Sequence, residues 1–224
     1  MNIMTSGLFV TGTDTGVGKT YVSAGIARTL ICRGVDAGVM KPAETGCRMR
    51  AGRLMPRDAL RLMKSARVKD PLSLVNPYRF RRPLAPAVAA ELERKTIDPS
   101  KIINAFQLLA NRHDFMIVEG SGGIMVPLSA KYTYLDLAKK LGLPVLIVAR
   151  PGLGTINHTL LTIAALRGRK IEIAGIVINY ALDEKPGGAE KTSPALIERM
   201  SNVRIAGIIP YGSHRFDDLL DGII

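Results

Sequence analysis

The sequence predicts a three-layer α/β fold with a mostly parallel central sheet and helices on both faces. Three observations lead there. Short apolar runs rich in Val and Ile recur along the chain, helical periodicity falls between them, and residues 7 to 41 read as strand, Gly-rich loop, helix and strand, a parallel crossover unit. A chain of 224 residues is expected to form one domain spanning 1–224, with no internal repeat.

Taken in order, Gly7 to Gly12 (GLFVTG) reads as a buried strand, and Lys19 to Arg33 as a helix that stops before Gly34. Val35 to Lys41 is a second strand. Residues 58 to 67 form a short helix, and Val75 to Pro86 is a proline-punctuated irregular stretch. Asp98 before Pro99 marks a helix start, with Asp as N-cap and proline in the first turn, and the helix runs to about Arg112. Phe115 to Glu119 (FMIVE) is a strand ending on an acid, followed by a glycine-rich turn. Strands at 144–149 and 173–179 flank a helix at 156–166. A helix at 189–201, a strand at 204–209 and a polar tail follow. Ligands of such a sheet gather at the carboxyl ends of its strands, which singles out residues 12–20, 41–46, 119–123, 150–158, 179 and 210.

The longest apolar run, Val145 to Ala149, has five residues, against roughly 20 for a membrane span. The start MNIMTSG lacks a signal-peptide pattern, so a cytoplasmic protein with no membrane partner is expected. Cys32 and Cys47 form no CxxC pair and read as bystanders. Of the net charge of +12, +9 comes from residues 48–82, where eleven Lys or Arg face only Asp58 and Asp70. Such a block either attracts an anion or is a solvated face. Its two aromatic residues, Tyr78 and Phe80, sit together at its end and do not recur through it in a base-stacking pattern, so no nucleic-acid partner is expected.

The strongest chemical signal is Gly12-Thr-Asp-Thr-Gly-Val-Gly-Lys19-Thr20, placed between a predicted strand and a predicted helix. This is a phosphate loop, and it makes the expected fold a P-loop fold. Its glycines let successive N–H groups and the helix N-terminus face phosphate, Lys19 reaches the terminal phosphates, and the Thr20 hydroxyl suits magnesium. The first glycine lies at Gly12, with Thr13 at the usual position, so the loop is a variant. The nucleotide-binding set is Thr15, Gly16, Val17, Gly18, Lys19, Thr20 and Tyr21. Glu119 ends an apolar strand, where an unpaired acid is costly to bury, so it needs a cation partner.

The loop GTDTGVGKT resembles that of the dethiobiotin synthetase family, and further matches extend over nearly the whole chain. Lys41-Pro-Ala-Glu-Thr45-Gly46 is similar to the family's segment after the second strand, and Asp58-Ala-Leu to its acidic DAL. Val75-Asn-Pro-Tyr78 and Pro83 to Pro86 resemble its proline-rich stretch, Glu119-Gly-Ser-Gly-Gly123 its EGxGG, Gly154-Thr-Ile-Asn157-His158 its GxINH, and Asn179 its adenine-reading asparagine.

The resemblance implies an ATP- and Mg2+-dependent cyclo-ligase of biotin biosynthesis. Its diamine substrate, 7,8-diaminononanoate, takes up carbon dioxide as a carbamate, the carbamate attacks the γ-phosphate of ATP, and the mixed carbamic-phosphoric anhydride closes to dethiobiotin, leaving ADP and phosphate. It further implies that Lys19, Lys41 and Thr45 act on the transferring group, that Thr20, Asp58 and Glu119 hold magnesium, and that Glu119, Gly120, Ser121 and Gly122 approach nucleotide and substrate. Asn179 would read adenine beside a wall formed by Pro210, Tyr211 and Gly212. Asn157 would bind the substrate's distal carboxylate across a homodimer interface. From the residues alone, Lys41 reads equally as a solvated strand end, Thr45 and Asn157 as caps, Asp58 as a helix start and 119–123 as a tight turn.

Two departures stand out: Tyr180 follows Asn179 where the family often has an acid, and Gly16 stands where some relatives carry glutamate. The alternatives are a ParA- or MinD-like switch ATPase and a cobyrinic-acid amidase-type ligase. The first has an extra loop lysine where this chain has Asp14; the second needs a glutamine-hydrolysing domain for which 224 residues leave no room. His113, His158 and His214 show no zinc-ligand spacing.

Overall fold

The computed structural model describes residues 6–183, 185–221 and 223. In chain order the elements are β1 (Ser6–Gly12), α1 (Lys19–Cys32), β2 (Ala37–Met40), β3 (Ala43–Glu44), β4 (Arg48–Arg50), β5 (Arg53–Met55), α2 (Arg57–Ala66), α3 (Leu72–Val75), β6 (Tyr78–Arg79), α4 (Pro86–Leu92) and α5 (Pro99–Ala110). They continue with β7 (Phe115–Gly123), β8 (Pro127–Ser129), β9 (Tyr132–Thr133), α6 (Tyr134–Leu141), β10 (Val145–Ala149), α7 (Thr155–Gly168), β11 (Ile173–Asn179), α8 (Gly188–Ser201), β12 (Ile205–Ile209) and α9 (Asp217–Leu220).

Six strands form the central sheet in the order β12-β11-β10-β1-β7-β2, and every pairing in it is parallel. The Val- and Ile-rich runs account for this: β10 is buried along its whole length and β1 beyond its first residue, as strands covered on both faces must be. From β1 the chain crosses to β2 at one edge, then returns through β7 and β10 to β12 at the other. Right-handed crossovers in opposite directions put their helices on opposite faces. Accordingly α1 packs with α2 and α9, while α5 packs with α6.

Three expectations are corrected. The acid-ended strand does not turn at Glu119 but runs on to Gly123, where Gly123 pairs with Gly12 after an irregularity in the β1–β7 register. The stretch 75–86 is not all irregular, since it supplies β6, which pairs with β3. The basic block contains an antiparallel hairpin, β4–β5, as well as the expected helix. The N-cap at Asp98 is present: its carboxylate accepts the Ser100 N–H at 2.8 Å. No helix among the described residues is long and apolar enough to cross a membrane.

Candidate active site

The phosphate loop leaves β1 and enters α1 through Gly18, whose φ of 92° is left-handed. A β-carbon there would lie 2.1 Å from Asn179 Nδ2, so only glycine fits. Asn179, at the end of β11, donates from Nδ2 to the Val17 carbonyl at 2.9 Å and ties the loop to the sheet. Because the carbonyl requires the amide's donor end, Oδ1 faces elsewhere; it is buried without a partner. Lys19 folds back across the loop to the Asp14 carbonyl at 3.0 Å. Burial, reinforced by the nearby Lys41 charge, pulls the Lys19 ammonium down to about 8.

Strand ends supply the neighbouring chemistry. Lys41 follows β2, and its backbone is held at both ends, the N–H donating to Val75 O at 2.8 Å and the carbonyl accepting from Asn76 Nδ2 at 2.6 Å. The residue is 2% exposed. Its ammonium donates to Glu119 Oε1 at 2.5 Å and to Gly120 O at 3.0 Å, and lies 3.3 Å from Asp58 Oδ2. Burial alone would discharge this lysine, but the Glu119 and Asp58 carboxylates outweigh it and push its titration well above the ordinary range. Glu119 is fully buried, and Oε1 also accepts from the Thr20 hydroxyl at 2.7 Å. The cation partner expected for Glu119 is therefore present as Lys41. Oε2 remains buried and unpartnered.

A residue that sequence reasoning missed organises this cluster. Glu44, 6% exposed, accepts the backbone N–H groups of Asp58 and Ala59, each at 3.0 Å, through its two oxygens. It thus caps the first turn of α2, where Pro56 stands at the N-cap and offers no side-chain acceptor. Burial raises the titration of Glu44. Its signal was faint: an acid between Lys41 and Thr45 in a stretch with no local use for one.

These groups line one cavity of about 630 Å³ holding Lys19, Thr20, Tyr21, Lys41, Glu44, Thr45, Asp58, Glu119, Ser121 and Gly122, closed on another side by Pro83 to Pro86. The Ser121 hydroxyl is turned to the Ala43 carbonyl at 2.8 Å. Gly122, with φ 65°, packs so that a β-carbon would meet Val126 at 2.9 Å. Other expected residues lie elsewhere. Asn157 is exposed in the first turn of α7, outside the cavity. Pro210, Tyr211 and Gly212 follow β12, the strand paired with Asn179's, and are exposed. Tyr180 lines a second cavity of about 610 Å³ that shares Thr15 and Gly16 with the first. His113 sits between Asp36 and Asp70, at 3.0 and 2.9 Å. Among the described residues no three His, Cys, Asp or Glu side chains converge as a metal cage.

A parallel sheet with a phosphate loop at its first strand, and lysines and carboxylates at the ends of the next strands, defines a P-loop nucleotide-dependent protein. A family profile described as "AAA domain" matches residues 6–214. The fold is shared with the MinD cell division ATPase of Pyrococcus furiosus (TM-score 0.58, 20% identity, 98% of this chain and 89% of that one). It is shared likewise with the MinC:MinD complex of Aquifex aeolicus (TM-score 0.58, 17% identity, 97% and 86%). At these identities the likeness is one of fold alone.

Sequence relatives go further. The ATP-dependent dethiobiotin synthetase BioD of Thermodesulfovibrio yellowstonii is 44% identical over 215 residues, covering 93% of this chain and 90% of that protein. That of Methanocaldococcus jannaschii is 41% identical over 206 residues, covering 90% and 92%. The chain belongs to the ATP-dependent dethiobiotin synthetase family.

Proposed function

We propose that the chain is an ATP- and magnesium-dependent cyclo-ligase that converts 7,8-diaminononanoate and carbon dioxide to dethiobiotin, releasing ADP and phosphate. The observation that carries this reading is the placement of Lys41 between Glu119 and Asp58, in the same cavity as Lys19. A ParA- or MinD-like switch carries its second lysine within the loop, where this chain has Asp14. A second, permanently charged ammonium at the end of the neighbouring segment suits an anionic substrate brought against the γ-phosphate.

The chemistry follows from these charges. One amine of the diamine adds to carbon dioxide and loses a proton, giving a carbamate. A carbamate oxygen attacks the γ-phosphorus and ADP departs. The second amine then adds to the carbamoyl carbon and phosphate leaves with that oxygen. Lys19 and Lys41 offset the negative charge that builds as carbamate meets triphosphate, and Thr45 offers a hydroxyl to the carbamate. The fit for magnesium rests on Glu119: a buried carboxylate oxygen without a partner, beside the Thr20 hydroxyl and near the half-exposed Asp58. Mg2+ takes few protein ligands when phosphate oxygens and water complete its shell, so Thr20, Asp58 and Glu119 suffice. Bound there, it would neutralise phosphate charge. The free acceptor of Asn179 suits the exocyclic amine of adenine, with Pro210 to Gly212 beside the base.

A homodimer completes the reading. Asn157 does not line its own chain's cavity, and Leu153, just before α7, is 85% exposed. The helix N-terminus there favours a carboxylate, such as the distal group of the diamine bound to a second copy. One continuous apolar core from Leu8 to Leu220 supports a single ligase unit. Consumption of ATP and two free cysteines suit the cytoplasm. The test is phosphate release with Mg2+, ATP and bicarbonate, with and without the diamine. Release that ignores the diamine would leave a nucleotide switch as the better reading.

A further inference from the structure

We infer that Arg61 is a third phosphate-binding cation of this cavity, carried by α2 to the triphosphate beside Tyr21. The inference rests on the reading of the cavity as the nucleotide site. Of the eleven basic residues between 48 and 82, Arg61 is the one that lines the cavity. It lies three positions after Asp58, so both occupy one face of α2. Asp58 on that face reaches Lys41 at 3.3 Å, which turns the face toward the reacting groups.

Tyr21 fixes where the guanidinium lies. Its ring sits in the first turn of α1, directly after Lys19 and Thr20, with its hydroxyl on the Ser213 carbonyl and its edge against Phe216 at 5.7 Å. The Arg61 guanidinium carbon is 5.5 Å from the centroid of that ring. It therefore lies beside the first turn of α1, in the cavity that the phosphate loop also lines. A guanidinium stacked on a ring keeps its in-plane N–H groups free for a bidentate contact with phosphate.

The charge balance of the cavity gives Arg61 work to do. Lys41 is matched by Glu119 and Asp58, and Lys19 is turned to the Asp14 carbonyl. Arg61 makes no ion pair with a carboxylate among the described residues. The bland account is that it only shields Tyr21 from water. That account predicts a stability effect and no change in nucleotide affinity.

The experiment measures KM for ATP, KM for the diamine and kcat in the full-length enzyme, with direct titration of ADP and AMP. Arg61→Gln removes the charge and keeps a stem over Tyr21, and Arg61→Lys restores a charge without the fork. We expect KM for ATP to rise about ten- to a hundredfold in Arg61→Gln, with KM for the diamine unchanged and Arg61→Lys intermediate. Unchanged ATP and ADP affinity in a folded Arg61→Gln protein would overturn the inference. Failure of the unsubstituted protein to bind ATP would instead overturn the reading of the cavity, and this inference with it.

Discussion

The Lys41 ammonium lies 2.5 Å from Oε1 of Glu119, a pair sealed from solvent where β2 ends beside the longer parallel strand β7. Removing one member of a buried pair strands the other charge, at a cost of about 3–5 kcal/mol. Lys41→Met is therefore expected to abolish turnover and also to lower Tm by about 10 °C for a chain of this size. The double variant Lys41→Met/Glu119→Gln should recover much of the stability and none of the activity. Equal Tm values for the single and double variants would show that the pair does not couple in the folded protein.

Glu44 predicts a separable effect. Its carboxylate holds the N–H groups of Asp58 and Ala59, so Glu44→Ala frees the start of α2 and should cost about 1–2 kcal/mol. Asp58 loses its fixed approach at the same time. The Mg2+ concentration needed for half-maximal turnover should rise, while KM for the diamine changes little. A stable variant with an unaltered magnesium titration would confine Glu44 to capping.

Two loop glycines should respond unequally to the same change. In Gly18→Ala the new methyl meets Asn179 Nδ2 and forces apart the Asn179–Val17 hydrogen bond, so nucleotide affinity should fall by roughly 2 kcal/mol or more. Gly16 also has positive φ, 77°, but nothing lies within 4 Å of an added β-carbon. Gly16→Ala should then show only left-handed strain, about 1 kcal/mol. Comparable losses of ADP affinity at both positions would contradict this packing.

Lys19 gives the pH dependence its sign. The charged form binds phosphate, and the ammonium of the free protein titrates near 8, so its charged fraction falls as pH rises through that value. KM for ATP should be flat below about pH 7.5 and climb toward tenfold per unit above pH 8, with proton uptake on binding in that range. A KM independent of pH from 7 to 9.5 would mean that Lys19 does not titrate there.

Much of this was legible in the sequence, for local reasons. Gly18-Lys19-Thr20 between an apolar run and a helical run can hardly be placed otherwise, and an acid ending FMIVE had to find a cation. What was hidden depends on distance or on unusual residues. Glu44 caps a helix that starts beyond an intervening hairpin, and no spacing rule announces such a contact. The hairpin itself turns on Ala51 and Gly52, both with positive φ, where Asn-Gly would have been an open signal. Helix α6 was readable and overlooked: Thr133 and Asp136 form a capping box. Arg61 was lost among eleven similar charges, because only the packing of α2 on α1 distinguishes it.

The central claim is that a carbamate oxygen is delivered to the γ-phosphorus between Lys19 and Lys41. Single turnovers with 18O-labelled bicarbonate, the diamine and Mg-ATP, quenched before the label exchanges with water, test it by mass spectrometry of the released phosphate. The account predicts one labelled oxygen in that phosphate, formed together with dethiobiotin. Unlabelled phosphate, released whether or not the diamine is present, would contradict it.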